Sequence, residues 1–311
     1  RVEGMVGVWD VRQPGRGPAV APNGEGGWGG ELRLEAYRAV KDLSDIPVIS
    51  PILNSLRSQE AGIDLGDYVL LGGLRGEIRW PVAPRTAVTL GVAGERSTSV
   101  GTDATPVRGT YRANPSLGAG DYGIVSVVLE RLYGGVDRKG DLYGNVRLEA
   151  GEGQASYFRF TADGTGRVAV GRSTLLARGY LGWGTDGLPA YRSFVLGGRG
   201  TLPGEPYRAF GGRSMVLLHV EWRSTVAIPA IRLGSFASTG SGLVVAPFVA
   251  AGWSDRAIVG TPWRSTDGVR PVAGVAVEWL MQLLRLEVGV GLLDGRAQVT
   301  LDVTRAWWPM L

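Results

Sequence analysis

His219 is the only histidine among 311 residues, and cysteine is absent. Composition alone therefore excludes a two-histidine metal site, a cysteine-containing one, a disulfide framework and a thiol nucleophile. His219 could still serve a hydrolase triad, because a serine and an acid can be brought to it from distant parts of a chain. No G-x-S-x-G, Walker or HExxH motif accompanies it. The run Gly197-Gly198-Arg199-Gly200 lacks the spacing and the strand-to-helix setting of a dinucleotide fingerprint. A different chemistry is better supported. His219, Glu221 and Arg223 are spaced by two, as are Arg285 and Glu287, and on extended chain each set shares one face. The expectation is a polar network in a protein that is not an enzyme and needs neither cofactor nor metal.

The basic residues fit such a network. Of 33, only Lys41 and Lys139 are lysines, and the planar five-donor guanidinium of the rest can satisfy several carboxylates at once. Against 29 acidic residues the net charge is +4, with both signs interspersed. A nucleic-acid partner, which calls for basic residues clustered on one face, is not expected.

The elements that must carry these side chains are extended. Glycine accounts for 50 residues, about 16% against a usual value near 7%, with no collagen triplet. Wherever the chain is apolar the period is two. Val216, Leu218, Val220 and Trp222 oppose His219, Glu221 and Arg223. Leu32, Leu34 and Ala36 oppose Glu31, Arg33 and Glu35. Leu74, Ile78 and Trp80 oppose Arg75, Glu77 and Arg79, and Val146 and Leu148 oppose Arg147 and Glu149. Leu284, Leu286 and Val288 oppose Arg285 and Glu287. A soluble β-sandwich alternates too. Three features favour a membrane: segments of roughly 9 to 14 residues, the length that crosses a bilayer at a tilt; full charges of both signs on the polar faces; and tryptophans near segment ends, at Trp9, Trp80, Trp183, Trp222, Trp253, Trp279, Trp307 and Trp308. The longest uncharged run, 233–254, is rich in Gly, Ser and Thr and interrupted by Pro247, so it is not a transmembrane helix.

The fold expected is all-β, a transmembrane antiparallel β-barrel of about 12 to 16 strands filling residues 1–311 as one domain. Thirteen strands are predicted, near 1–12, 27–38, 67–80, 85–97, 121–132, 141–151, 154–164, 168–184, 213–224, 242–253, 270–281, 283–293 and 296–307. Long links at 39–66 and 185–212 alternate with short ones at 81–84 and 281–282. The start at Arg1, without Met or leader, and the odd strand count point to initial strands or an upstream domain outside this sequence. The final strand alternates Val299, Leu301 and Val303 and closes on Trp307 and Trp308, a pattern that assembly machinery reads by strand pairing.

Within 185–212, Phe194, Leu196, Gly197 and Gly198 open a glycine-rich segment that runs through Arg199, Gly200, Leu202, Pro203, Gly204 and Arg208. A strand bearing Glu221 and Arg223 follows, and five strands lie beyond the segment. This layout resembles the bacterial surface antigen superfamily of outer-membrane barrels, which includes BamA, TamA and the two-partner-secretion transporters. The resemblance implies a bacterial outer-membrane location, contact with lipid and lipopolysaccharide, and a sixth outer loop folded into the lumen. It also implies a role in assembly or export of outer-membrane proteins, with client proteins or periplasmic domains as partners. Where the family has Leu-Arg-Gly-Tyr at the loop tip, this chain has Leu202-Pro203-Gly204-Glu205. Either Arg199 or Arg208 stands in for the missing arginine, or the contact is lost. Two other functions stay open: a passive pore or membrane anchor for an upstream domain, and an outer-membrane hydrolase built on His219.

Overall fold

The computed structural model describes residues 7–11, 30–43, 45–46, 51–101, 105–118, 120–134, 140–233 and 237–303. Thirteen long strands form one antiparallel sheet: β1 (Gly7–Val11), β2 (Glu31–Asp42), β3 (Tyr68–Ala83), β4 (Thr86–Ser99), β5 (Gly120–Arg131), β6 (Gly140–Gly153), β7 (Tyr157–Val170), β8 (Ser173–Gly184), β11 (Ser214–Ala227), β14 (Gly242–Asp255), β15 (Arg270–Trp279), β16 (Leu284–Gly291) and β17 (Ala297–Val303). Each pairs with the next in this order. Two small hairpins lie in the links, β9 (Phe194–Leu196) with β10 (Phe210–Gly212), and β12 (Arg232–Leu233) with β13 (Ala237–Ser238). The two ends of the large sheet are β1 and β17, and among the described residues no ladder joins them.

Alternation sets the two faces. On β3 the side chains of Leu74 and Ile78 are exposed, while Val69 and Leu71 are buried on the other face beside Arg75 and Glu77. Outward apolar positions on β3 run from Leu70 to Val82, a span of about 30 Å once the strand is tilted, which matches a hydrocarbon core. Exposed Val125, Val127 and Leu129 of β5, Leu218 and Trp222 of β11, Val249 of β14 and Leu286 of β16 continue this band. The inner face instead holds Glu95, Glu149, Arg159, Glu221, Glu278, Arg285, Glu287 and Asp302, all buried. Burying so much charge is tolerable only where each group is paired.

Strand direction sorts the links into two ends. Tight turns join β3 to β4, β7 to β8 and β15 to β16 at one end. The long links 43–67, 185–213 and 256–269 all emerge at the other. The first contains an element that periodicity did not predict, helix α1 (Pro51–Ala61). Pro51 is its only sequence signal, a residue tolerated at a first helical position because no intrahelical N–H is required there.

Candidate functional site

The segment 185–212 folds into the barrel rather than over it. After a short 3₁₀ turn at Ala190–Arg192, β9 and β10 pair as Phe194↔Gly212, Val195↔Gly211 and Leu196↔Phe210, all six residues buried. The tip between them is buried too: Arg199, Thr201, Leu202, Glu205 and Arg208 are nearly inaccessible. Its backbone holds itself together. Gly197 N–H donates to Thr201 Oγ1 at 3.0 Å, Gly198 N–H to Leu202 O at 3.1 Å, and Glu205 N–H to Leu202 O at 3.0 Å. Gly197 is required by both conformation and space: its φ is +115°, and a Cβ there would lie 2.3 Å from Pro206 O.

Inward-facing glycines of the wall receive the loop's apolar side chains. Phe194 packs where Gly182 of β8 lacks a Cβ, and Leu202 does the same at Gly252 of β14. The Arg159 guanidinium lies 4.5 Å from the centre of the Phe194 ring.

The loop's polar groups reach nearly the whole circumference. Arg192 donates to Glu95 of β4 at 2.9 Å and lies 3.5 Å from Glu149 of β6, both carboxylates fully buried. Tyr37 of β2 donates to the same Glu95 at 2.7 Å. Burial opposes the charge of Arg192, but Glu149 and Glu95 outweigh it and hold its pKa above the ordinary arginine value. On the far side Arg199 pairs with Asp302 of β17, Glu205 takes a two-pronged contact from Arg270 of β15 at 2.8 and 2.9 Å, and Gly204 N–H donates to Gln298 of β17 at 3.4 Å. Beyond the tip, Arg208 bonds Asp42, the last residue of β2, at 2.5 and 2.7 Å, and Asp67, just before β3, at 2.8 Å. Burial again works against this guanidinium, and the carboxylates beside it again raise its pKa. Tyr207 donates to Leu65 O, and burial pushes its phenol upward.

Of the two arginines that could stand in at the altered tip, the structure buries both and sends them to different parts of the sheet. Arg199 holds β17, and Arg208 holds the β2–β3 end. One loop therefore ties the β17 edge to β2 and the start of β3, one strand in from the β1 edge.

Deeper in the lumen lies a second cluster. Arg285 donates to Glu221 at 2.8 Å, to Glu278 at 2.8 Å and to Glu287 at 2.8 Å, while Arg223 bonds Glu221 at 2.6 Å and Glu278 at 2.5 Å. The expected set of Glu221, Arg223, Arg285 and Glu287 is brought together, and Glu278 completes it. Its signal was present, since on the segment 270–279 it shares inward parity with Val272 and Ala276. His219, also expected here, packs edge-on against Phe248 with ring centres 5.2 Å apart. Glu278 is fully buried between two guanidiniums, so Glu278→Ala is expected to leave them under-compensated and to destabilise the barrel by about 3 kcal/mol. The urea midpoint of the protein in detergent micelles would read this, and a midpoint equal to that of the unaltered chain would contradict it.

The C-terminal positions divide. Val299 and Leu301 face outward and are exposed, whereas Val303, expected on the same apolar face, is covered. Trp307 and Trp308 lie outside the described residues. The residues that sequence reasoning missed are the loop's partners, Asp42, Asp67, Glu95, Arg270 and Asp302, which no motif spacing connects to 185–212.

No protein-family model and no curated protein matches the chain. Among solved structures it is similar to BamA from Haemophilus ducreyi, in a crystal structure lacking POTRA domains 1–3, with 12% identity and a TM-score of 0.58 over 97% of this chain and 62% of that one. It is also similar to CdiB from Escherichia coli, with 14% identity and a TM-score of 0.49 over 88% of this chain and 48% of that one. The chain thus spans less than two thirds of the length of either. At this identity the likeness to BamA is one of fold: the chain has the fold of a BamA-type β-barrel.

Proposed function

We propose that the protein is a bacterial outer-membrane barrel that assists the assembly or export of other outer-membrane proteins. The observation that carries this reading is the loop 185–212, which lies in the lumen and ties β17, without a ladder to β1 among the described residues, to β2 and the start of β3. A barrel whose last strand is held to β2 and β3 by a loop, with no ladder to β1 among the described residues, keeps an edge that can template an incoming strand. Its outward band sits among lipid, with lipopolysaccharide on the side of the long links, and its partners are extended client chains. Deleting residues 202–208 should impair the accumulation of other outer-membrane or secreted proteins in cells, measured by quantitative proteomics of the outer membrane. An unchanged outer-membrane proteome would reject the reading.

The passive alternatives separate on one point. A steady pore needs an open bore, whereas here the loop 185–212 lies within the lumen and is paired to Glu95, Glu149, Arg270 and Asp302 of the wall. A lumen so packed with ion pairs favours an anchor over a pore among these alternatives. An anchor would leave the proteome unchanged on the same deletion. The hydrolase reading gains no support from the edge-on packing of His219 against Phe248.

A further inference from the structure

Charge on the lipid-facing surface is confined to one sector. In the large sheet, the outward positions from β7 to β17 carry none among the described residues except Asp255, the last residue of β14. On β2 to β6 they carry Arg38, Arg96, Asp121 and Glu152 toward the end where the long links emerge, and Arg131 at the other end, while Asp42 turns in to Arg208. An ionised group facing lipid is costly at the bilayer centre and tolerable at the level of the headgroups, where it finds polar company outside the protein.

The register aligns Arg38 of β2, Gly72 of β3, Arg96 of β4 and Asp121 of β5 in one outward row. Gly72 keeps the space between the two arginines open, and a Cβ there would meet no side chain nearer than Arg38 Cγ at 3.8 Å. Arg96 is 74% exposed, and Asp121 holds one edge of its guanidinium at 2.6 and 3.0 Å, leaving the opposite edge available. Arg38 is exposed and bonds no carboxylate among the described residues. Two strand spacings set the two backbones about 10 Å apart, which suits a headgroup carrying two phosphates better than one carrying a single phosphate. Glu152 lies two strands beyond Arg96, on the far side of Asp121, and so does not stand between the cations.

Next to this row the surface is apolar and uneven. Leu74, Gly94 and Gly123 share the following outward row, and Gly76, Val92 and Val125 the one after it. Because the glycines carry no side chain, Leu74, Val92 and Val125 stand clear, at 68%, 60% and 58% exposure, and bound a recess beside the cations.

We propose that Arg38 and Arg96 bind the two phosphates of a lipopolysaccharide molecule in the outer leaflet, whose acyl chains lie over Gly94 and Gly123. The choice of lipid rests on the outer-membrane location read above, not on the assembly role, and the site is on the outer wall, apart from the loop 185–212. A free anion would satisfy the arginines but leave the recess unused.

The experiment is native mass spectrometry of the full chain in detergent micelles, titrated separately with bis-phosphorylated lipid A, monophosphorylated lipid A and inorganic pyrophosphate. Arg38→Gln should weaken retention of the bis-phosphorylated lipid about fivefold to tenfold, and so should Arg96→Gln combined with Asp121→Asn, which strands no carboxylate. Gly94→Leu keeps both cations and meets nothing within 4 Å of its Cβ, so it should fold and weaken retention by filling the recess. Glu152→Gln and Arg172→Gln, exposed charges outside the row, should leave retention unchanged. The monophosphorylated lipid and pyrophosphate should each bind about tenfold more weakly than the bis-phosphorylated lipid. Full retention in both arginine variants, an equal loss in Arg172→Gln, equal binding of either comparison ligand, or loss of a dimer of the chain in place of lipid would each overturn the proposal. If lipid A is held through these arginines while deletion of 202–208 leaves the outer-membrane proteome unchanged, the site stands and the assembly reading fails; if the arginines do not matter and the deletion impairs the proteome, the reverse holds.

Discussion

Replacing Arg208 by alanine is expected to lower the stability of the folded barrel by about 3–5 kcal/mol, the cost of leaving a buried carboxylate without its partner. Arg208 is almost wholly buried and bridges Asp42 and Asp67, the second of which has no exposed surface at all. Arg112 also reaches Asp67, at 2.5 Å, but from an exposed position that screens it more. Partial compensation by Arg112 places the expected loss toward the lower end of the range. Arg208→Lys keeps the charge but not the fork, and one ammonium cannot reproduce the two-sided contact; it should recover less than half of the loss. Arg208→Met combined with Asp67→Asn removes both charges, and should be less destabilised than Arg208→Ala alone. Urea unfolding of each variant in the same micelles checks the order. If the double variant falls below the single one, the loss comes from packing rather than from a stranded charge.

The same substitution bears on which anchor matters for the sheet ends. Arg199 and Arg208 lie nine positions apart on one buried tip, so either can hold the loop while the other is removed. A double-mutant cycle between Arg199→Ala and Arg208→Ala should therefore show coupling, because losing the second anchor costs more once the first has gone. Independent losses would mean that each arginine merely neutralises its own carboxylates. The distinction matters physically: a strap fixed at both ends transmits strain between β17 and β2, whereas two separate ion pairs do not.

Much of this architecture was written locally. Alternation along 213–224 and 283–293 fixed which side chains face lipid and which face the lumen, and thirteen strands were predicted where thirteen form the sheet. A strand's period is a property of neighbouring residues, so neighbouring residues reveal it. Helix α1 was missed because Pro51–Ala61 has only a weak apolar stripe and is short enough to depend on its surroundings rather than on its own propensity. The partners of the tip were missed for a different reason. Arg208 meets Asp42 across 166 positions and Asp67 across 141. Nothing in local spacing encodes a pairing that exists only after the sheet has curled. Sequence could name Arg199 and Arg208 as alternatives; only the fold shows that Arg199 takes β17 while Arg208 takes β2 and the start of β3.

Gly204→Ala is expected to have the second large effect, by unseating the tip while leaving the wall intact. Gly204 has a φ of +109°, a region that side chains rarely adopt, and a Cβ there would lie 2.5 Å from Gly291 N and 2.8 Å from Val290 C. Both obstructing atoms belong to the backbone of β16, which its ladders to β15 and β17 hold in place, so the tip must move instead. Backbone strain alone costs about 1–3 kcal/mol. Displacing the tip also breaks the Glu205–Arg270 and Gly204–Gln298 contacts and pulls Arg199 from Asp302. Gly171, in the turn between β7 and β8, separates these contributions: its φ is +60° and nothing lies within 4 Å of its would-be Cβ. Gly171→Ala should therefore cost about 1 kcal/mol and leave the loop protected from protease. Gly204→Ala should expose 197–209 to limited proteolysis and raise ion conductance through the barrel in planar bilayers, since the segment that fills the bore is no longer seated. A protected tip and an unchanged conductance in Gly204→Ala would mean that β16 yields to the loop, and that the loop, not the wall, is the more rigid of the two.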